Sequence, residues 1–151
     1  MKVVTIVGNR PQFVKSAPLS VALREAGIDE VVVHTGQHYD ADMSDVFFVE
    51  LGIPEPRHRL GLRTADVDGM TGPIGVVLDE EQPDWTLVMG DTNSTLAGGR
   101  AGAAAGIPVA HLEAGLRSGD LSMPEERNRI EKHETLRFEL LRTQWQRREL
   151  C

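Results

Sequence analysis

Residues 2–19 read Lys2-Val3-Val4-Thr5-Ile6-Val7-Gly8-Asn9-Arg10-Pro11-Gln12-Phe13-Val14-Lys15-Ser16-Ala17-Pro18-Leu19. Val3 to Val7 is a short, β-branched, unbroken apolar run, the signature of a strand buried on both faces. Gly8-Asn9 breaks it. Pro11 then suits the first turn of a helix, where its missing N–H is no loss, and Gly27 stops that helix after about Ala26. A buried strand leading straight into a helix is the opening unit of a parallel sheet. The pattern repeats outward from there. Val31-Val32-Val33 is a second strand, and Asp40 or Asp42 can cap a helix through Phe47, Phe48 and Leu51 that ends at Gly52-Ile53-Pro54. Residues 57–69 show no clear period. A helix over about Thr71–Glu80 accommodates Pro73 in its first turn. Trp85–Met89 is a strand, Thr92–Ala105 a helix of small residues that lets its neighbours approach closely, and Ile107–Leu112 another strand. Pro124, with Glu125 and Glu126 in a favourably acidic first turn, opens a last helix. The alternation predicts an α/β fold: a doubly wound parallel sheet of five or more strands.

The chain has 151 residues, enough for one core, with 40% hydrophobic and 26% charged residues and a net charge of −7. Those proportions are ordinary for a folded domain. The negative charge argues against nucleic acid or an anionic membrane as a partner. No stretch approaches the ~20 apolar residues that span a bilayer. The single cysteine, Cys151, allows neither an internal disulfide nor a Cys-based metal site, which fits a reducing, cytoplasmic setting. Residues 131–151 carry four acids and five bases, a net +1 against −8 for residues 1–130. Leu136, Leu140, Leu141 and Trp145 recur at helical spacing, so this segment is expected to be a helical tail distinct from the domain at 1–130.

In such a sheet, ligands bind beyond the carboxyl ends of the strands, so the residues just after each strand carry the information. After the first come Arg10 and, one turn into the helix, Lys15, two cations at a helix N-terminus that suit an anion. The glycine spacing is neither GxGxxG nor GxxxxGK[ST], which counts against a dinucleotide or P-loop site. His34 and His38 lie four apart but straddle a strand end and a glycine turn, so they share no face for a metal. Asp91 follows Trp85–Met89, with Thr92 or Asn93 placed to cap the next helix; Asp91 itself reads equally as a cap or as a site residue. His111 and Glu113 alternate onto one side of an extended chain, but no cysteines accompany them as in the zinc deaminases. Glu125 and Arg129 are four apart on one helical face. Three carboxylates (Asp91, Glu113, Glu125) and three cations (Arg10, Lys15, Arg129) thus converge on one sheet edge, equipment for a diphosphate-bearing substrate and proton transfer beside it.

Gly8-Asn9-Arg10-Pro11 with Lys15, Thr35-Gly36-Gln37-His38-Tyr39-Asp40, Gly90-Asp91-Thr92-Asn93-Ser94-Thr95, His111-Leu112-Glu113-Ala114-Gly115-Leu116-Arg117 and Pro124-Glu125-Glu126-Arg127-Asn128-Arg129 together resemble the non-hydrolysing UDP-N-acetylglucosamine 2-epimerases. The likeness runs collinearly from Met1 to Ile130. It implies the amino-terminal half of a two-domain, glycosyltransferase-B type enzyme that interconverts UDP-N-acetylglucosamine and UDP-N-acetylmannosamine for surface polysaccharides. The family's chemistry expels UDP, forms 2-acetamidoglucal as C2 loses its proton, then re-adds UDP with protonation of the other face. Cations must therefore meet the departing diphosphate, and proton-transfer groups must serve both faces of C2. The resemblance assigns Asp91, Glu113 and Glu125 as catalytic carboxylates and Arg10, Lys15, Arg129, Gln37, His38 and His111 as substrate-binding residues. It calls for no metal and no cofactor, and implies a homodimer.

The likeness also marks departures. Gln37 and His38 fall where some bacterial members bind a second, regulatory substrate molecule, but the Arg-Gln pair that accompanies them is replaced here by Gly69-Met70. After Ile130 the family's catalytic histidine and UDP-binding domain have no counterpart, so the expectation is a gene product truncated or frameshifted there and inactive alone. Two rival readings are a non-catalytic nucleotide-sugar-binding or dimerisation module derived from the epimerase, and a glycosyltransferase-B acceptor domain. The His111–Arg117 and Pro124–Arg129 blocks weigh against the second.

Overall fold

The computed structural model describes residues 1–37, 45–114 and 117–135. Five strands form one parallel sheet: β1 (Lys2–Val7), β2 (Asp29–His34), β3 (His58–Arg59), β4 (Trp85–Met89) and β5 (Val109–Leu112), in the order β3-β2-β1-β4-β5. Among the described residues five helices accompany them: α1 (Arg10–Glu25), α2 (Asp45–Leu51), α3 (Val67–Glu81), α4 (Asn93–Ala104) and α5 (Pro124–Thr135). The chain winds outward from β1 through β2 to β3, then crosses back to β4. The reversal opens a crevice at the carboxyl ends of β1 and β4, where doubly wound sheets bind ligands. The predicted α/β fold is thus the one observed.

Alternate residues of the strands face two apolar layers. Val4, Ile6, Val31, Val33 and Val88 pack with Met70, Ile74, Val77 and Leu78 of α3 and Ala97 and Ala101 of α4. On the other face Val7, Val32 and Met89 meet Phe13 and Ala17 of α1 and Phe48 and Ile53 around α2. The small-residue reading of α4 is borne out in detail. A Cβ on Gly98 would lie 2.9 Å from Val88 Cγ1, and one on Gly102 would lie 2.7 Å from Val109 Cγ2. Glycine is what lets this helix sit down on β1, β4 and β5.

Three expectations need correction. α3 begins at Val67, with the Asp66 carboxylate capping Gly69 N–H at 2.8 Å, so Pro73 sits inside the helix rather than in its first turn. The capping aspartate lies in the stretch without a clear period, so local pattern starts this helix too late. That same stretch holds β3, only two residues long and held by pairing to Val33 and His34 rather than by local pattern. β5 ends at Leu112, and Glu113 takes φ 61°, so His111 and Glu113 do not continue one extended chain. Asp40, Asp42 and the tail residues Leu136, Leu140, Leu141 and Trp145 lie outside the described residues.

Candidate functional site at the sheet switch point

The crevice is organised by a residue that carries no charge. Gln12, 4% exposed, accepts from Gly8 N–H at 2.7 Å through Oε1. Its Nε2 donates to Met89 O at 2.9 Å and to the hydroxyls of Thr92 and Thr95, each at 3.1 Å. One amide thereby ties the β1–α1 turn to the β4–α4 turn. Asn9 caps α1, its side chain accepting from Gln12 N–H at 3.1 Å. That bond, and the lack of an N–H on Pro11, leave fewer backbone donors for an anion than the sequence reading implied. On the opposite turn Thr92, not Asp91, caps α4. Asp91 is therefore free of the capping role that was its plainest alternative.

Asp91 and Glu113 line a cleft of about 110 Å³ with Lys15 and Gln12. Lys15 Nζ lies 2.9 Å from Glu113 Oε2. A mostly apolar cavity of about 200 Å³, walled by Leu19, Met89 and Leu112, adjoins it through the same Lys15 and Glu113. Arg129 reaches over from α5 and donates through Nε to Asp91 Oδ2 at 3.1 Å and through a terminal nitrogen to the same oxygen. Its remaining terminal nitrogen donates to Glu126 at 3.2 Å. Burial works against the Arg129 charge, but these two carboxylates outweigh it and raise its pKa.

Glu126 has no exposed surface. It accepts from Arg117 Nε at 2.6 Å, from Ser118 N–H at 2.9 Å and from Ser118 Oγ at 3.1 Å, besides Arg129. The Ser118 amide, then Arg117, hold its carboxyl down at a pKa of about 2 against the opposing effect of burial. Asn128 completes the latch, donating to Asp91 O at 3.1 Å and to Asn93 Oδ1 at 2.6 Å.

The structure thus brings Lys15, Asp91, Glu113 and Arg129 together. It does not pair Arg129 with Glu125: the partner is Glu126, three residues away, and Glu125 is exposed on the first turn of α5. Arg10 heads α1 with an exposed side chain beside the cleft-lining Asn9 and Pro11. His111 is buried, its protonated Nε2 meeting Gly90 O at 2.7 Å, so it braces the turn that carries Asp91. Gln37 accepts from Ser94 N–H at 2.9 Å and from Ser94 Oγ at 2.6 Å. His38 lies outside the described residues. His34, whose pKa is lowered by burial and then by Arg59, packs its ring on Phe13. Among the described residues no group of three or more His, Cys, Asp or Glu is arranged to hold a metal ion.

Sequence reasoning missed Gln12, Glu126 and Asn128. Glu126 and Asn128 lay within a quoted block, but only contact with Asp91, Asn93, Arg117 and Ser118 gives them a role.

In sequence and fold the chain resembles known proteins. A family model for UDP-N-acetylglucosamine 2-epimerase matches residues 21–151. A UDP-N-acetylglucosamine 2-epimerase homolog of Methanococcus maripaludis is 51% identical over 134 residues, covering 86% of this chain and 37% of the relative. The UDP-2,3-diacetamido-2,3-dideoxy-D-glucuronate 2-epimerase of Pseudomonas aeruginosa is 50% identical over 135 residues, 86% of this chain and 38% of its own length. The crystal structure of Methanocaldococcus jannaschii UDP-GlcNAc 2-epimerase with UDP-GlcNAc and UDP superposes with a TM-score of 0.86 at 38% identity, over 99% of this chain and 42% of that one. The chain therefore spans well under half the length of these relatives. With the sheet order, the switch-point cleft and the family match in agreement, this chain belongs to the UDP-N-acetylglucosamine 2-epimerase family.

Proposed function

We propose that the chain supplies the amino-terminal portion of a nucleotide-sugar 2-epimerase, residues 1–130 forming its Rossmann-like domain, and that its cleft takes the sugar end of a UDP-sugar. The observation that carries this reading is the gathering of Lys15, Asp91, Glu113 and Arg129 at the crevice between β1, β4 and β5. Expulsion of UDP builds negative charge on the leaving diphosphate oxygen, the charge that Lys15 and Arg10 are proposed to meet. Lys15 is engaged by Glu113 at rest, so a diphosphate that draws Lys15 away releases the Glu113 carboxylate for proton transfer at C2. Asp91 and Glu125 are the other carboxylates offered to that chemistry. Gln37 and His38 complete the proposed substrate contacts, His111 acts on the site through the Asp91 turn that it braces, and a homodimer is the expected assembly.

On its own the chain should not turn over. Half a cleft cannot exclude water, and solvent-facing cations are screened within ~10 Å at ordinary salt. Binding of UDP should be millimolar and salt-sensitive, equivalent to roughly −4 kcal/mol. Calorimetry with UDP and a coupled epimerase assay on the 151-residue chain test this. Micromolar affinity with turnover would refute the half-site account.

A second reading keeps the chemistry and changes the sugar. The Pseudomonas aeruginosa relative, whose name gives a diacetamido-glucuronate substrate, stands at 50% identity, level with the 51% of the Methanococcus maripaludis homolog. Tighter binding of the UDP-diacetamido-glucuronate than of UDP-N-acetylglucosamine would favour that sugar.

A further inference from the structure

Glu126 is a fully buried carboxylate with four hydrogen bonds, and its partners fall into two groups. Arg117 and Ser118 belong to the loop that follows β5. They alone would suffice to fasten that loop to the start of α5. The fourth donor, Arg129, belongs to α5 itself and continues outward to Asp91. Its guanidinium is gripped on two edges, one terminal nitrogen by Glu126 and the Nε edge by Asp91. A planar fork held at both edges is fixed in orientation as well as position. All of its contact with Asp91 falls on Oδ2. Oδ1 has no hydrogen-bond partner among the described residues, and Asp91 lines the cleft. Asn128, between Glu126 and Arg129 in sequence, holds the backbone carbonyl of Asp91 at 3.1 Å.

We infer that Glu126 is a positioning residue: it orients Arg129 so that Asp91 is held through one carboxylate oxygen while the other is kept for the ligand. The assignment rests on the proposed function only in making a UDP-sugar that ligand. Without Glu126 the guanidinium has a partner on one edge only, and Arg129 is free to turn about its contact with Asp91. Glu125, exposed on the preceding position, has no part in this.

The test is arginine Nε–H exchange by NMR on the chain labelled with 15N-arginine. In the wild-type protein the Arg129 Nε–H should exchange at least about tenfold more slowly than those of the exposed arginines. Glu126→Gln keeps the shape but removes the negative charge that grips the guanidinium, and should remove most of that protection. Glu126→Asp keeps the charge but withdraws it by one methylene, and should do the same if the glutamine variant fails to fold. Arg117→Ala removes a different partner of Glu126 and should leave Arg129 protected, an outcome that a merely loop-fastening Glu126 does not predict alongside the other two. Unchanged Arg129 protection in a folded Glu126→Gln or Glu126→Asp protein overturns the inference. Addition of UDP-N-acetylglucosamine, at concentrations well above the millimolar range, to uniformly 15N-labelled wild type separates the two readings. Arg129 protection that depends on Glu126, with no perturbation of the Asp91 and Glu113 amides by the nucleotide sugar, supports the positioning role and counts against the epimerase site.

Discussion

Replacing Gln12 by Leu tests how the crevice is built. The substitution keeps the approximate size of a side chain that is 4% exposed and removes all of its polar contacts. Most of the groups left behind can re-pair. Met89 O still accepts from Thr95 Oγ1 at 2.6 Å, and the Thr92 and Thr95 hydroxyls still bond each other at 3.0 Å. The buried Gly8 N–H has no such alternative, since Gln12 Oε1 is its acceptor. A stranded buried donor costs roughly 1–3 kcal/mol. For a chain of this length about 2 kcal/mol lowers the melting temperature by roughly 4–8 °C. Gln12→Glu should be worse than Gln12→Leu. It satisfies Gly8, but sets a second carboxylate oxygen against Met89 O at 2.9 Å. Urea titration followed by circular dichroism gives the stabilities, and amide exchange at Gly8 locates the loss. A Gln12→Leu protein within ~0.5 kcal/mol of wild type, with Gly8 still protected, would show that the amide clamp does not organise the switch point.

Other perturbations probe the same region. Gly8→Ala would set a Cβ 2.1 Å from Ser94 Oγ and 2.9 Å from Thr35 Oγ1, so it should cost about 1–3 kcal/mol or more, read as a lower urea midpoint. The Glu126 carboxyl titrates at about 2 in the folded chain against an ordinary 4.5. Between those values the unfolded chain binds more protons, so its stabilising contribution is complete above about 4.5 and disappears as pH falls through about 2. Glu126→Gln should therefore lose stability less steeply than wild type from pH 4.5 downward, and parallel curves of urea midpoint against pH would contradict this. Arg10→Ala should weaken UDP binding about tenfold, the effect of ~1.4 kcal/mol of lost phosphate contact. Equal affinities by calorimetry would remove Arg10 from the site.

Local pattern carried the fold a long way. Val3–Val7, Val31–Val33 and Trp85–Met89 are legible as strands because apolar, β-branched runs bounded by glycine or polar turns have few other uses. The small residues of α4 announced a close approach, which Gly98 and Gly102 make against Val88 and Val109. Asp91 and Glu113 were legible as site candidates because a parallel sheet presents the residues after its strands at one edge. β3 escaped because two residues have no period, and their strand character comes from pairing with β2. The start of α3 escapes local pattern because an internal proline resembles a first-turn residue, whereas the capping Asp66 sits seven positions before it.

The site divides along the same line. Charged residues at strand ends stand out in a sequence because charge placed there has an evident use. Gln12 does not stand out: it is neutral, and its partners Met89, Thr92 and Thr95 lie 77 to 83 residues away. Glu125 and Glu126 are adjacent and chemically identical in the sequence, and helix spacing alone linked Glu125 to Arg129. Only tertiary structure separates them. The turn of α5 leaves Glu125 in solvent, while Glu126 is enclosed by the loop holding Arg117 and Ser118 and joined through Arg129 to Asp91. Residue type and local period determine which elements form and which edge holds the chemistry. Which carboxylate is exposed and which is buried depends on surfaces that meet only when distant segments pack.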